Sequence, residues 1–168
     1  MYKFKTKKMK EVAQNLRDII RQIVPQLKAI SNEGVSIKPR PEKWSNKEII
    51  GHLIDSANNN QQKFVRIMQQ PHLDFVGCQQ DFGVASQQYN QEDWLIVVGL
   101  WSFYNYHIAH IIESVDPSVL DNTISIAGSQ PFTLRFIMTD YAEYLKHHLK
   151  QILPDAGLES KFENVYNA

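Results

Sequence analysis

Hydrophobic residues recur at intervals of three and four in four stretches of the sequence, and segments that contain glycine and proline separate these stretches. Because an α-helix completes a turn every 3.6 residues, this spacing places the apolar side chains on one face of each stretch. We therefore predict four amphipathic helices that pack their apolar faces together in an all-α bundle. The predicted helices span approximately residues 8–30, 45–70, 90–115 and 132–153.

Short local motifs mark where these helices begin and end. Ser45 and Glu48 have the spacing of a capping box, in which each side chain bonds to the backbone N–H of the other residue. Asn90 is the predicted N-cap of the third helix. Pro71 and Pro154 lack a backbone N–H and are predicted to close the second and fourth helices.

The segments between the predicted helices show no regular spacing of hydrophobic residues that continues for more than a few positions. Residues 71–90 have no sustained period, so we predict a long connection without secondary structure that covers a pocket. Residues 123–126 alternate in polarity and could form a brief extended piece, which does not change the helical prediction. The polar tail after Pro154 is expected to fray. We treat residues 1–168 as one domain with its core at about 8–153.

Charge and composition argue against several classes of protein. The chain has 18 basic and 18 acidic residues, so it has no overall field that would attract nucleic acid. Five lysines before residue 11 are interpreted as a solvated helix entry. Because no apolar run has the length of a signal sequence or a membrane span, we expect a cytoplasmic protein that does not bind membranes. Cys78 is the single cysteine, which excludes an internal disulfide.

The candidate chemistry lies on the second and fourth predicted helices. His52 is on the second, and Tyr144 and His148 are one turn apart on the fourth, where periodicity directs His148 inward and His147 outward. An inward histidine is more often a hydrogen-bonded core residue than a metal ligand, and the spacing alone leaves both interpretations open. Asp55 belongs to a polar stripe that indicates a wet pocket if it is buried and a solvated face if it is exposed.

Two motifs resemble a known family. The run RPEKWSNKEIIGHLIDS, followed by TLRFIMTDYAEYLKHHLKQIL, resembles the DinB-like superfamily, particularly its YfiT-like metal-dependent hydrolases, over roughly residues 10–153. The resemblance implies an up-down-down-up four-helix bundle with a long connection between the second and third helices. It also implies a zinc or nickel ion held by three histidines, two of which match His52 and His148. The third ligand position carries Tyr144 in this sequence.

The tyrosine weakens the expected metal site. A phenol with an ordinary pKa of about 10 must lose its proton before it can bind a divalent ion, so occupancy is doubtful at neutral pH. His147 is rotated about 100° away around the helix, whereas Asp55, one turn after His52, could supply an oxygen ligand. The candidate metal residues are therefore His52, Tyr144 and His148.

Two functions remain open at this point. The first is a metal-dependent hydrolase, or a transferase for a low-molecular-weight thiol, with a degraded metal site. The second is a non-catalytic module that has lost the metal and binds a ligand or forms a dimer, with the phenol bridging the two imidazoles. Either protein would have a small-molecule substrate or ligand, and the resemblance implies a homodimer. A role with DNA is suggested only by the superfamily name, and the neutral charge opposes it.

Other aromatic and histidine residues have simpler explanations. Trp44, Trp94 and Trp101, with two tyrosines of the third helix, are expected to pack in the core, although some of them could line the pocket. His107 and His110 have helical spacing for a metal but no third group, so we interpret them as surface residues.

Overall fold

Four long helices dominate the structure, which is a computed structural model that describes residues 2–166 and the side chains from residue 5 onward. Two shorter helices and a small sheet lie between them. The long helices are α1 (Tyr2–Lys28), α3 (Asn46–Ile67), α5 (Trp94–Ser114) and α6 (Leu134–Ile152), and the short helices are α2 (Asn32–Val35) and α4 (Gln80–Gln87). The structure is mostly helical, as the periodicity predicts, and the relative directions of the helices stay a prediction.

The four long helices pack in a ring, in which α1 and α3 each contact both α5 and α6. The apolar faces predicted from the sequence form the core: Leu16, Ile20 and Ile23 of α1 are fully buried, as are Leu53 of α3 and Leu145 of α6. Each such side chain contributes about 1.5–3 kcal/mol through removal of apolar surface from water. This core holds α3 and α6 side by side.

The start of α3 is fixed by the predicted capping box. The Ser45 hydroxyl accepts from the Glu48 N–H at 3.1 Å, and the Glu48 carboxylate accepts from the Ser45 N–H at 2.8 Å. The prediction of Asn90 as the N-cap of the next helix is wrong. That role belongs to Asp93, whose carboxylate accepts from two backbone N–H groups of the first turn of α5. Asn90 instead accepts a hydrogen bond from the Ser45 hydroxyl.

The prediction of an unstructured segment at 71–90 is also wrong. It contains the strand β1 (His72–Phe75), the helix α4 and a turn of 3-10 helix at Tyr89–Gln91. Strand β1 pairs in parallel with β2 (Thr123–Ile126), which pairs in antiparallel with β3 (Phe132–Thr133). The extended piece suspected at 123–126 is therefore the middle strand of a sheet, which the pattern of four long helices did not predict.

The C-terminal tail does not fray as expected within the described residues. The Tyr166 hydroxyl donates to the Asp140 carboxylate at 2.6 Å, and the Ser160 hydroxyl donates to the Glu143 carbonyl at 2.8 Å. The Phe162 ring lies edge-on to the Tyr144 ring at 5.0 Å. The aromatic residues of a largely polar tail thus anchor it along α6 and over the candidate site.

Helix α5 differs from the other helices in composition. By length and hydropathy alone it could cross a membrane, and 44% of its most apolar window is buried inside the structure. The expectation that no segment has this length and hydropathy is therefore wrong for α5. Since the core helix of a bundle meets the same criterion, this is weak support for a membrane span. Several large apolar side chains of α5 are exposed: Leu95, Ile96, Leu100 and Phe103.

Candidate functional site

The structure brings together the three residues singled out in the sequence. The Nε2 atom of His52 on α3 is 2.5 Å from the hydroxyl of Tyr144 on α6. The ring centroids of His52 and His148 are 4.9 Å apart, and those of Tyr144 and His148 are 4.5 Å apart. We refer to His52, Tyr144 and His148 as the polar centre. Periodicity predicts the inward direction of His148, and the family resemblance places His52 beside it; the role of the three residues as metal ligands stays a prediction.

Local structure holds His52 in a defined orientation. It lies in the second turn of α3, shortly after the capping box, and its side chain is buried. Trp44, which precedes the N-cap, lies against the His52 ring at a centroid distance of 4.8 Å. A backbone start that is fixed by two hydrogen bonds and an aromatic ring on one face together restrict the imidazole.

Burial keeps all three groups of the polar centre neutral near pH 7. It lowers the pKa of His52 to about 4 because an imidazolium would lose its hydration there. The pKa of His148 falls to about 3, mainly through burial and further through repulsion by His52 and His147. Burial also raises the pKa of the Tyr144 phenol above its ordinary value. The polar centre is therefore a set of neutral hydrogen-bonding groups.

The hydrogen bonds assign roles to the ring nitrogens. When His52 Nε2 accepts from the protonated Tyr144 phenol, the proton of that imidazole is on Nδ1. The Nδ1 atom of His148 is 3.3 Å from the side-chain amide nitrogen of Gln151, which can only donate. The proton of a neutral His148 is then on Nε2, where it is available as a donor.

These contacts do not suit the metal ion that the resemblance implies. A metal-binding histidine generally donates its second N–H to a carboxylate or a carbonyl, whereas His148 Nδ1 faces an amide donor. His52 Nε2 is already bonded to a phenol whose raised pKa opposes ionisation. Within residues 2–166 no group of three or more His, Cys, Asp or Glu residues could hold a metal. The residues present therefore do not fit this cofactor.

The polar centre opens into a cavity of about 730 Å³ between α3 and α6. Segment 77–87, which includes α4, covers one side, and Phe162 and Tyr166 of the tail close another. The polar stripe of α3 that includes Asp55 lines this cavity, so the interpretation as a wet pocket fits better than a solvated face. His147 is exposed, as expected, and its ring lies at the cavity edge, 5.5 Å from Phe162.

Asp55 forms hydrogen bonds with the segment that covers the cavity. One carboxylate oxygen accepts from the Gln87 amide at 2.6 Å and from the Tyr89 hydroxyl at 2.7 Å. The other oxygen is buried without a hydrogen-bond partner and lies against Gly83 of α4. Asp55 therefore binds the segment around α4 through one oxygen, and its role as an oxygen ligand stays a prediction.

Three further contributors carry only a weak signal in the sequence. Lys63 lines the cavity although a lysine in an amphipathic helix is normally assigned to its solvated face. Phe162 belongs to a tail that is expected to fray, and Trp44 is expected in the core, with a place in the pocket left open. The sequence feature that points to a role for Trp44 is its position directly before the N-cap Ser45, which places its ring just outside the first turn of α3.

The remaining candidates lie apart from the polar centre or at its edge. Trp94 and Trp101 are buried in the core and do not line the cavity, and the rings of His107 and His110 are exposed on α5, stacked 6.4 Å apart. Cys78 is exposed and lies at the rim of the cavity.

Comparisons with known proteins identify the fold. No protein-family model matches the sequence, and no curated protein matches it. A solved structure that matches is YfiT from Bacillus subtilis, described as "a probable metal-dependent hydrolase with an unusual four-helix bundle topology". The TM-score is 0.76 at 12% sequence identity, over 88% of this chain and 85% of YfiT. The chain therefore has a YfiT-like fold.

Proposed function

We propose that this protein binds a small organic molecule in the cavity beside the polar centre and that it does so without a resident metal ion. The observation that carries the proposal is the hydrogen bond from the Tyr144 phenol to His52 Nε2, which uses the atom that a metal would need. The Tyr144 phenol occupies the position of a third imidazole and donates a hydrogen bond to the imidazole of His52. A site of this kind is stable with no cation in it.

The dimensions and lining of the cavity support this proposal. Its volume of about 730 Å³ falls within the roughly 300–1,000 Å³ of typical ligand sites. Its wall combines apolar and aromatic side chains, such as Ile137 and Tyr141, with a larger number of polar ones, such as Asn59 and Gln80. Such a lining suits a polar organic molecule that has a small apolar part and forms several oriented hydrogen bonds.

The polar centre offers defined hydrogen bonds to a ligand. His148 presents its Nε2–H as a donor, since its Nδ1 faces the Gln151 amide. The Tyr144 phenol donates to His52, and its oxygen also has the side chain of Gln80 as a hydrogen-bond partner. The expected ligand therefore carries an acceptor, such as a carbonyl or hydroxyl oxygen, at this end.

A second candidate is the function suggested by the structural neighbour, because YfiT is described as a probable metal-dependent hydrolase. In that case His52, Tyr144 and His148 would hold zinc or nickel for hydrolysis or for transfer of a low-molecular-weight thiol. This function requires the Tyr144 phenol to ionise or to move aside, and its raised pKa and its bond to His52 both oppose that.

Calorimetric titration with zinc and with nickel separates the two candidates. We expect the wild-type protein to bind both ions weakly. Tyr144→His should bind zinc at least about 100-fold more tightly, because a neutral third imidazole needs no deprotonation. Tyr141→His is the matched control, since it places a histidine one turn earlier on α6. Equal and tight binding by the wild type and Tyr144→His would contradict the proposed function.

A further inference from the structure

Lys63 is a cation at the far end of the cavity from the polar centre. It lies on α3 eleven residues after His52, which corresponds to about 16 Å along the helix axis. Both side chains line the same cavity. The Lys63 amine lies over the Phe75 ring of β1, with Nζ 5.4 Å from the ring centroid. The cavity is therefore long enough to contact two different groups of one ligand.

The Lys63 amine has no carboxylate partner among the residues that the structure describes. Its Nζ makes no ion pair and no hydrogen bond in that part of the chain; its neighbours are the Phe75 ring and the Cys78 thiol, which interacts with it electrostatically. The other largely buried lysines differ: Lys47 donates to the Glu92 carbonyl at 2.8 Å, and Lys146 pairs with Glu143 at 2.6 Å. Lys63 is thus a partly buried cation that has no carboxylate partner among the described residues.

The two carboxylates that line the cavity each accept hydrogen bonds from residues other than Lys63. Asp55 accepts from Gln87 and Tyr89, and Asp140 accepts from Tyr166. Neither forms an ion pair with Lys63. A buried ammonium with no counter-ion is costly, and burial indeed lowers the pKa of Lys63. A bound anion would offset that cost by replacing the lost hydration.

We propose that Lys63 binds the anionic group of an organic carboxylate whose other end contacts the polar centre. Apolar side chains of the cavity wall, which include Ile126 and Ile137, would contact the body of the ligand beside the polar side chains. This inference rests on the proposed small-molecule function and adds to it the chemical class of the ligand. The polar centre alone, which is neutral, would not distinguish a carboxylic acid from its amide.

Matched pairs of ligands test this inference. The probes are 4-phenylbutyrate, hexanoate and indole-3-acetate, each with its primary amide, titrated into ¹⁵N-labelled protein and followed by amide chemical shifts. In the wild type we expect each carboxylate to bind about ten-fold or more tightly than its amide, because the charged hydrogen bond to Lys63 is lost in the amide. Lys63→Met should remove this preference and leave amide binding unchanged.

The control variant is Arg66→Met, which removes the same charge from an exposed position on α3 outside the cavity. It should keep the preference for carboxylates. If Lys63→Met retains that preference, or if wild type binds amides and carboxylates equally, the role of Lys63 is wrong while the ligand cavity stands. If neither series shifts any cavity residue, both this inference and the proposed function are contradicted. Thermal melting verifies that each variant is folded.

Discussion

At the scale of single residues, the bond between His52 and Tyr144 is the feature that sets this site apart from a three-histidine centre. Tyr144→Phe removes the phenol hydroxyl and leaves His52 Nε2 buried without a partner. We expect it to lower the free energy of unfolding by about 1–3 kcal/mol, the usual cost of an unsatisfied buried polar group. Urea denaturation at pH 7.5 measures this difference.

The matched control for that substitution is Tyr104→Phe. The Tyr104 hydroxyl donates to Asn58 and Gln61 near the surface, where water can replace it. The control should therefore cost less than about 1 kcal/mol. Equal losses in the two variants would show that the His52 bond contributes nothing beyond an ordinary tyrosine contact.

Part of the polar centre could be predicted because it depends on local spacing. Residues four apart share a helix face, so Tyr144 and His148 had to project together, whereas His52 was placed with them by the family resemblance. Lys63 could not be predicted in the same way. Lys63 is partly covered by β1, which packs against α3 after an intervening turn. The spacing of residues within α3 cannot predict that contact.

At the scale of elements, a glycine determines how the cover of the cavity packs on α3. Gly51 faces the Tyr89 ring so closely that a Cβ atom there would overlap it. Gly51→Ala should displace Tyr89, break its bond to Asp55 and loosen the segment around α4. We expect a loss of about 1–3 kcal/mol in unfolding free energy and faster amide exchange in α4, measured by denaturation and hydrogen exchange.

Gly99→Ala is the control for this substitution, because the space beside Gly99 on α5 is open. An alanine in a helix interior is favoured over glycine by about 0.5–1 kcal/mol, so this variant should be slightly more stable than the wild type. A Gly51→Ala protein that matches Gly99→Ala in both measurements would contradict the described packing of Tyr89.

The element scale also shows where local patterns fail. The four long helices could be predicted because each one carries its own apolar period over many turns. Strand β1 could not, since it has four residues and its partner β2 lies about fifty positions later, with His72 opposite Thr123. Pairing between strands that are distant in the sequence depends on tertiary contacts, and an alternation over four residues is too short to predict it.

For the whole molecule, the buried histidines predict how stability depends on pH. Unfolded histidines have a pKa near 6.5, whereas the folded values are about 4 for His52 and about 3 for His148. Between these limits the unfolded chain binds more protons, so stability falls as pH drops. Above about pH 6.5 both histidines are mostly neutral in the folded and the unfolded protein, so they no longer change the free energy of unfolding with pH. From pH 7.5 to 5 each should remove roughly 2 kcal/mol of unfolding free energy.

The contribution of the polar centre is isolated by comparison with a variant. His52→Gln combined with His148→Gln should show a smaller loss of stability between pH 7.5 and 5 than the wild type, whatever its stability at neutral pH. Urea denaturation at several pH values gives both slopes. Parallel slopes for wild type and variant would mean that the two histidines are not held neutral in the folded protein.

The YfiT-like fold and the chemistry inside it are thus separate features of the molecule. Helix packing brings α3 and α6 together, and a fold similar to that of YfiT at 12% sequence identity does not depend on which polar residues meet between these helices. In this chain a phenol and two neutral imidazoles meet, beside a cavity with a cation at its other end. The homodimer and the cellular compartment expected from the sequence stay predictions.

The most direct test of this account is the metal content of the wild-type protein, purified without a chelator and without a nickel column. Elemental analysis by mass spectrometry should find zinc and nickel at close to zero per chain, with Tyr144→His, purified in parallel, showing that a metal would have been retained. A stoichiometry near one metal ion per wild-type chain would contradict the proposal that the protein functions without a resident metal ion.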